Sequence, residues 1–219
     1  MRFTILSLFP SYFDSPLQAS LIGRARQKGL LQVELVDIRQ FATGRHQRVD
    51  DRPYGGGPGM VLMVEPLVKA IRHARSPSSR LIYLSPQGRK LDAPFCHELS
   101  QEKELLLVCG HYEGFDQRLF ELEQGEEVSI GDYVLPSGCS AALVLLEAVS
   151  RLLPGVVGNP ESLTADSFES EELFDYPHYT QPRSFEGLEV PSVLLSGDHS
   201  QIARWRHQAA LEKSLQRRL

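Results

Sequence analysis

The chain has 219 residues, room for one large domain or a main domain with a small appendage, and its 42% hydrophobic and 23% charged residues are ordinary for a globular protein. No stretch approaches the roughly 18 apolar residues of a membrane span, and Cys96, Cys109 and Cys139 lack C-x-x-C spacing, which argues against a disulfide framework and a zinc site. A net charge of −5 speaks against a generally basic nucleic-acid binder, but binding follows the local field, so basic clusters on an acidic body still matter.

Phe3 to Leu8 reads as a buried strand and not a signal peptide, because the run ends at Phe9-Pro10 without a small-residue cleavage site. With the cysteine pattern, this makes the cytoplasm the expected compartment. Ser15-Pro16 opens a helix carrying Leu17, Leu21 and Ala25 at i, i+4 and i+8, and Gly29 stops it. Leu31 to Asp37 alternates as a strand. Phe41 to Pro53 has no apolar period and carries Arg39, Arg45, Arg48 and Arg52 in or beside it; it reads as a loop.

Arg52-Pro53-Tyr54-Gly55-Gly56-Gly57-Pro58-Gly59-Met60 follows. No Gly-Lys-Ser/Thr comes after it, so it is not a P-loop, and Asp50 to Tyr54 is not the apolar strand a dinucleotide fingerprint needs. Glycines beside Arg52 and Tyr54 suit a loop facing a phosphate and a base.

Val64 to Arg75 reads as a helix with Pro66 in its first turn. Arg80 to Ser85 is a strand, Ala93 to Ser100 a helix, Glu104 to Cys109 a fully buried strand, and Phe115 to Leu122 helical. Ser129 to Leu135 is a strand and loop, and Ser140 to Leu153 an apolar helix ended by Pro154-Gly155. Alternating strands and helices predict an α/β fold with a parallel sheet. Three strand ends carry glycine-bearing loops: Leu84-Ser85-Pro86-Gln87-Gly88, Cys109-Gly110-His111-Tyr112-Glu113-Gly114, and Ile130 to Gly138. Loops of this kind at strand carboxyl ends make a cofactor crevice.

After Gly158 the character changes. Residues 159–176 are acidic without Lys or Arg, a linker between a main domain at 1–158 and a small one at 177–219. Asp198 or Ser200 can cap a final helix from about His199, on which Trp205 packs and Arg204, Arg206, Arg217 and Arg218 face out.

Seven segments occur in order: DDRPYGGGPGM (50–60), YLSPQGRKL (83–91), LVCGHYEG (107–114), SIGDYVL (129–135), DSF (166–168), PHYTQP (177–182) and VLLSGDH (193–199). Together they resemble the bacterial tRNA (guanine-N1-)-methyltransferase family, TrmD, of the SPOUT class. The resemblance implies a deep trefoil knot from about Leu84 to Leu146, the α/β-knot fold, with a small, mainly helical C-terminal domain. It implies S-adenosylmethionine held by Leu84, Ser85, Pro86, Gly110, Glu113, Ile130, Gly131, Asp132, Tyr133, Val134, Leu135 and Gly138. It further implies methylation at N1 of the guanosine 3′ to the anticodon, position 37, with Asp166 as base and Arg151 as the cation near O6. The tRNA would meet Arg52, Tyr54, Gly55, Gly56, Gly57, Ser167, Arg204 and Arg206. The family is a homodimer with shared active sites, and it suggests a role for Glu113 at the substrate or at a magnesium ion.

Departures from the family pattern stand at His111, where Arg is usual, at Pro136-Ser137-Gly138-Cys139, and at Glu172-Leu173-Phe174-Asp175. The chain also ends at Leu219, so the tRNA-binding domain is expected to be shortened. The changed 136–139 segment motivates the alternative of a catalytically lapsed homologue that binds RNA and S-adenosylmethionine.

Overall fold

The computed structural model describes residues 1–159, 163, 166–168 and 173–218. Two compact units divide it, Met1–Gly158 and Asn159–Leu219. The side chains of Arg217 and Arg218, and residue Glu172, all singled out from the sequence, lie outside the described residues.

The first unit is built on a five-stranded parallel sheet in the order β2-β1-β6-β5-β7, with β1 at Arg2–Ser7, β2 at Gln32–Asp37, β5 at Ser79–Lys90, β6 at Glu104–Cys109 and β7 at Glu126–Ser129. All six residues of β6 are buried, as its central position requires. Successive side chains point to opposite faces, so the inner strands feed two cores. On one face Phe3, Ile5, Ile82, Leu105 and Leu107 pack with Ile22 and Ala25 of α1 (Ser20–Gln27), Phe95 and Leu99 of α3 (Ala93–Ser100) and Leu145 and Val149 of α5 (Cys139–Ser150). On the other, Leu6, Leu81, Leu106 and Val108 meet Leu67 and Ile71 of α2 (Val64–Ala74) and Leu119 of α4 (Arg118–Leu122). Going from β5 through α3 to β6 moves one way along the sheet; going from β6 through α4 to β7 moves back past β5 on the opposite face. Right-handed crossovers impose that arrangement.

Several elements differ from the sequence expectation; the strand expected from Ser129 lies earlier, at Glu126–Ser129, where pairing with β5 fixes it, and the helix expected from Phe115 starts only at Arg118. The first helix does not run from Ser15. A 3-10 turn at Pro16–Gln18 is followed by extended Ala19 and a separate start at Ser20, and the Gln18 carbonyl lies where a Cβ on residue 23 would be, at 2.3 Å, an approach that only Gly23 permits. The segment before the glycine loop is not all loop: β3 (Asp50–Asp51) pairs antiparallel with β4 (Val61–Leu62), so the glycines form the connection of a small hairpin. β5 does not stop at Ser85. Val128 pairs with both Leu84 and Arg89, so Ser85 to Gly88 is extruded as a bulge and the strand resumes. The last helix of this unit ends at Ser150 rather than Leu153, with Arg151 as its C-cap.

In the second unit, a two-strand hairpin pairs β8 (Ser184–Phe185) with β9 (Leu188–Glu189), a 3-10 turn covers Ser192–Leu195, and α6 runs His199–Arg218. The cap of α6 is Asp198, whose carboxylate accepts the Ser200 and Gln201 amides at 3.0 Å each. No helix among the described residues is long and apolar enough to cross a membrane.

Candidate active site

The carboxyl ends of β5, β6 and β7 converge around a cavity of about 400 Å³. Its walls are held by main-chain contacts. The Gly138 amide donates to the Gly110 carbonyl at 2.7 Å, and His111 forms an antiparallel bridge with Ser137. A Cβ at position 138 would fall 2.8 Å from the Gly110 nitrogen and 3.1 Å from the Leu84 Cβ, so no side chain fits there. The β5 bulge presses on β7 equally closely: a Cβ at position 88 would lie 2.2 Å from the Glu127 carbonyl carbon. Ser129 closes the turn into the third loop, its hydroxyl donating to the Gly131 carbonyl at 3.0 Å and accepting the Gly131 amide at 3.2 Å.

Of the residues assigned to the methyl donor, Leu84, Ser85 and Pro86 line the cavity from the bulge, Gly110 and Glu113 from the second loop, and Ile130, Gly131, Tyr133, Val134, Leu135 and Gly138 from the third. Asp132 does not: it is exposed and lies outside the lining. The lining also contains Gln87, His111, Ser129 and Ser137, which motif reading passed over. Their signal was adjacency to the glycines, since a periodicity argument does not reach into irregular loops. The His111 ring sits 5.3 Å from Phe9 and 4.4 Å from Tyr112, and its Nδ1 is buried with no hydrogen-bond partner among the described residues.

The glycine hairpin is stitched to the second loop. The Glu113 amide donates to the Met60 carbonyl at 2.9 Å, the Leu62 amide to Gly114 at 3.0 Å, and the Asp116 amide to Leu62 at 3.2 Å. Glu113 fills the space beside Gly59, where a Cβ would meet its Oε1 at 2.3 Å. Arg52, Gly55, Gly56 and Gly57 are exposed, and Tyr54 is wholly so. These three glycines have φ of 85°, 82° and 113°, a left-handed run open only to glycine.

Behind the cavity, Cys139 opens α5 with its Sγ 3.2 Å from the Ser7 hydroxyl. Cys109 donates to it, and that bond, with help from Ser7 and Ser137 against the effect of burial, pulls the Cys139 thiol down to about 6 while pushing Cys109 up. All three cysteines are buried, and none forms a disulfide. Arg151 is half-buried at the end of α5. Asp166 and Ser167 belong to the second unit, where the Asp166 amide donates to the Leu163 carbonyl at 3.4 Å and the Ser167 hydroxyl accepts the Asp175 amide at 2.8 Å. Arg204 and Arg206 are exposed on α6. Among the described residues, no group of three or more His, Cys, Asp or Glu is arranged to hold a metal.

A family model described as tRNA (Guanine-1)-methyltransferase TrmD matches residues 1–219. The tRNA (guanine-N(1)-)-methyltransferase of Protochlamydia amoebophila is 59% identical over 210 residues, 96% of this chain and 94% of that protein. Proteins of the same name from Chlamydia abortus and Chlamydia trachomatis serovar D are 54% and 55% identical over 218 residues, covering the whole chain. The chain spans 61% of the length of these two Chlamydia relatives.

Proposed function

The chain belongs to the tRNA (guanine-1)-methyltransferase family, and from that premise we propose that it transfers a methyl group from S-adenosylmethionine to N1 of the guanosine at position 37, next to the tRNA anticodon. One observation carries the reading: a family match over the whole length coincides with a cavity of about 400 Å³ walled by three glycine-bearing strand ends. The relatives bear the name of an active methyltransferase, which favours this reading over a lapsed RNA-binding homologue.

The residues fit the methyl donor. Leu84, Ile130 and Leu135 offer apolar surface for a purine face, and the main chain between Ile130 and Gly138 offers donors and acceptors for its edges. The unpartnered Nδ1 of His111 adds a buried polar atom to the same wall. When bound, S-adenosylmethionine supplies an electrophilic methyl group on a sulfonium. The remaining work falls to the chain. Guanine N1 bears a proton, and its lone pair becomes nucleophilic only as that proton leaves. Asp166 accepts the proton, and the Arg151 guanidinium stabilises the negative charge that builds on O6. Arg52, Tyr54, Gly55, Gly56, Gly57, Ser167, Arg204 and Arg206 hold the tRNA, and Glu113 approaches the substrate or a magnesium ion from the rim.

A homodimer with shared active sites belongs to the same proposal. Arg151 and Asp166 lie in different units, which suits a site completed between subunits. Phe9 and Tyr12 are about half exposed, as is Val144 of α5, and Tyr12 bonds Ser140 of that helix at 2.7 Å, a patch suited to a second copy. The deep knot is proposed on the path of the chain: it leaves β7 beyond β5, returns to Gly110 at the end of β6, and only then forms α5 against β6 and β1. Residues 177–219 would be the tRNA-binding domain, after a linker at 159–176, and the cytoplasm, where tRNA resides, the place of action.

The test is to incubate the chain with labelled S-adenosylmethionine and bulk tRNA and to identify the labelled nucleoside. 1-Methylguanosine is expected; a ribose-methylated product, or none, overturns the assignment. Asp166→Ala should still bind the cofactor yet lose at least about 10² in single-turnover rate, and an active variant would remove Asp166 as the base.

A further inference from the structure

A second cavity, of about 370 Å³, lies wholly within the second unit, inside the roughly 300–1,000 Å³ range of sites for small ligands. Residues 177–181 of the PHYTQP segment line it, and the methyl-transfer chemistry leaves them without a task. Its apolar side is Val190, Leu194 and Ile202. The lining also includes Tyr176 and Tyr179, with Arg183 and Arg206. The Arg206 guanidinium is laid over the Tyr176 ring, 4.7 Å from its centroid, which fixes the cation against a flat surface.

The charge is the informative part. The chain carries a net charge of −5, yet no acidic residue lines this cavity. The nearby Asp175 is paired with His178 at 2.7 Å, and among the described residues neither arginine has a carboxylate partner. Aromatic faces, a fixed guanidinium and an apolar floor are what an unstacked base with its phosphate requires. A duplex backbone needs only a charged surface and no concavity.

We propose that this cavity binds one unpaired nucleotide of the RNA, its base against Tyr179 and its phosphate at Arg183 and at Arg206, which Tyr176 holds in place. The proposal rests on the tRNA reading above and deepens it by naming a subsite apart from the methyl-donor cavity. Trp205, the single tryptophan, has its ring 6.4 Å from that of Tyr179 and so reports on occupancy.

The experiment titrates the full chain with an anticodon stem-loop RNA, a blunt RNA duplex of equal length and 5′-GMP, following Trp205 fluorescence, and measures methylation of the stem-loop in parallel. The stem-loop should change the Trp205 signal where the duplex does not. Tyr179→Ala should weaken stem-loop binding about tenfold, as loss of one stacked base does, raising KM for RNA while leaving S-adenosylmethionine affinity unaltered. Tyr179→Phe, which keeps the aromatic face, should stay within about twofold. Tyr179 is half exposed, so its truncation leaves the chain folded. Equal KM for the Ala variant and the parent overturns the subsite, as does an equal response to the duplex. If 5′-GMP binds as tightly as the stem-loop, the cavity serves free nucleotides and the RNA assignment falls. A parent chain that does not methylate the stem-loop at all, or methylates another atom, would instead fault the parent function, a result distinct from any of these.

Discussion

The two units of this chain solve different problems. Residues 1–158 bury both faces of β6 and the inward side chains of five helices and the 3-10 turns beside them, many at 0% exposure. In the second unit, only Ala210 and Ser214 of the described residues are buried, at 8% and 6% exposure, while Phe185, Leu188 and Leu195 are 62%, 77% and 46% exposed. A close-packed core positions a cavity to fractions of an ångström. A thinly packed unit with aromatic and cationic side chains on its surface can adapt to a large polyanion. Under the proposed function, cofactor recognition and substrate grip would not share a design: one would depend on rigid main chain, the other on exposed side chains.

Substitutions can break or sharpen that contrast. The largest effect is expected at Leu107, fully buried between Ile5 of β1 and Ile82 of β5. Leu107→Ala should cost about 2–5 kcal/mol in urea unfolding, whereas Leu195→Ala should stay within about 0.5 kcal/mol. Similar losses at the two positions would erase the contrast. Next comes Gly138→Ala, whose added carbon meets the Gly110 nitrogen, the Cys109 Cα and the Leu84 Cβ within 3.1 Å. About 1–3 kcal/mol of destabilisation is expected from overpacking, together with loss of S-adenosylmethionine binding by calorimetry; undiminished affinity would mean the third loop does not shape the cofactor site. The smallest effect is at Arg204, exposed on α6. Arg204→Ala should leave the melting temperature alone and reduce the slope of log K for tRNA against log salt by about 0.9 if it meets one phosphate. An unchanged slope would make Arg204 a solvated charge.

The sheet was legible in the sequence wherever burial on two faces left a mark. Leu105 to Val108 is an apolar run of strand length, and Ala93 to Ser100 carries Pro94 in its first turn behind an Asp92 cap, so both came out with the observed limits. The β3–β4 hairpin escaped because two-residue strands carry no period. The bulge at Ser85 to Gly88 escaped because pairing on β7, and not any local preference, makes β5 resume at Arg89. In the cavity, glycines and their loops could be read as a group, since their need is for backbone freedom. Gln87, Ser129 and the exposed Asp132 could not be sorted, because which way a loop side chain points depends on contacts such as Gly138 to Gly110 that join residues far apart in sequence.

The short last strand has a further consequence. An open sheet is exposed to strand addition at its rim, the route by which folded proteins seed fibrils. Here the rim strand has four residues, two of them Glu126 and Glu127, and its neighbour is kinked by an ejected tetrapeptide. A stray chain would find too few amides in line at this rim. The same irregularity that shapes the cavity therefore also shields this edge of the sheet from strand addition.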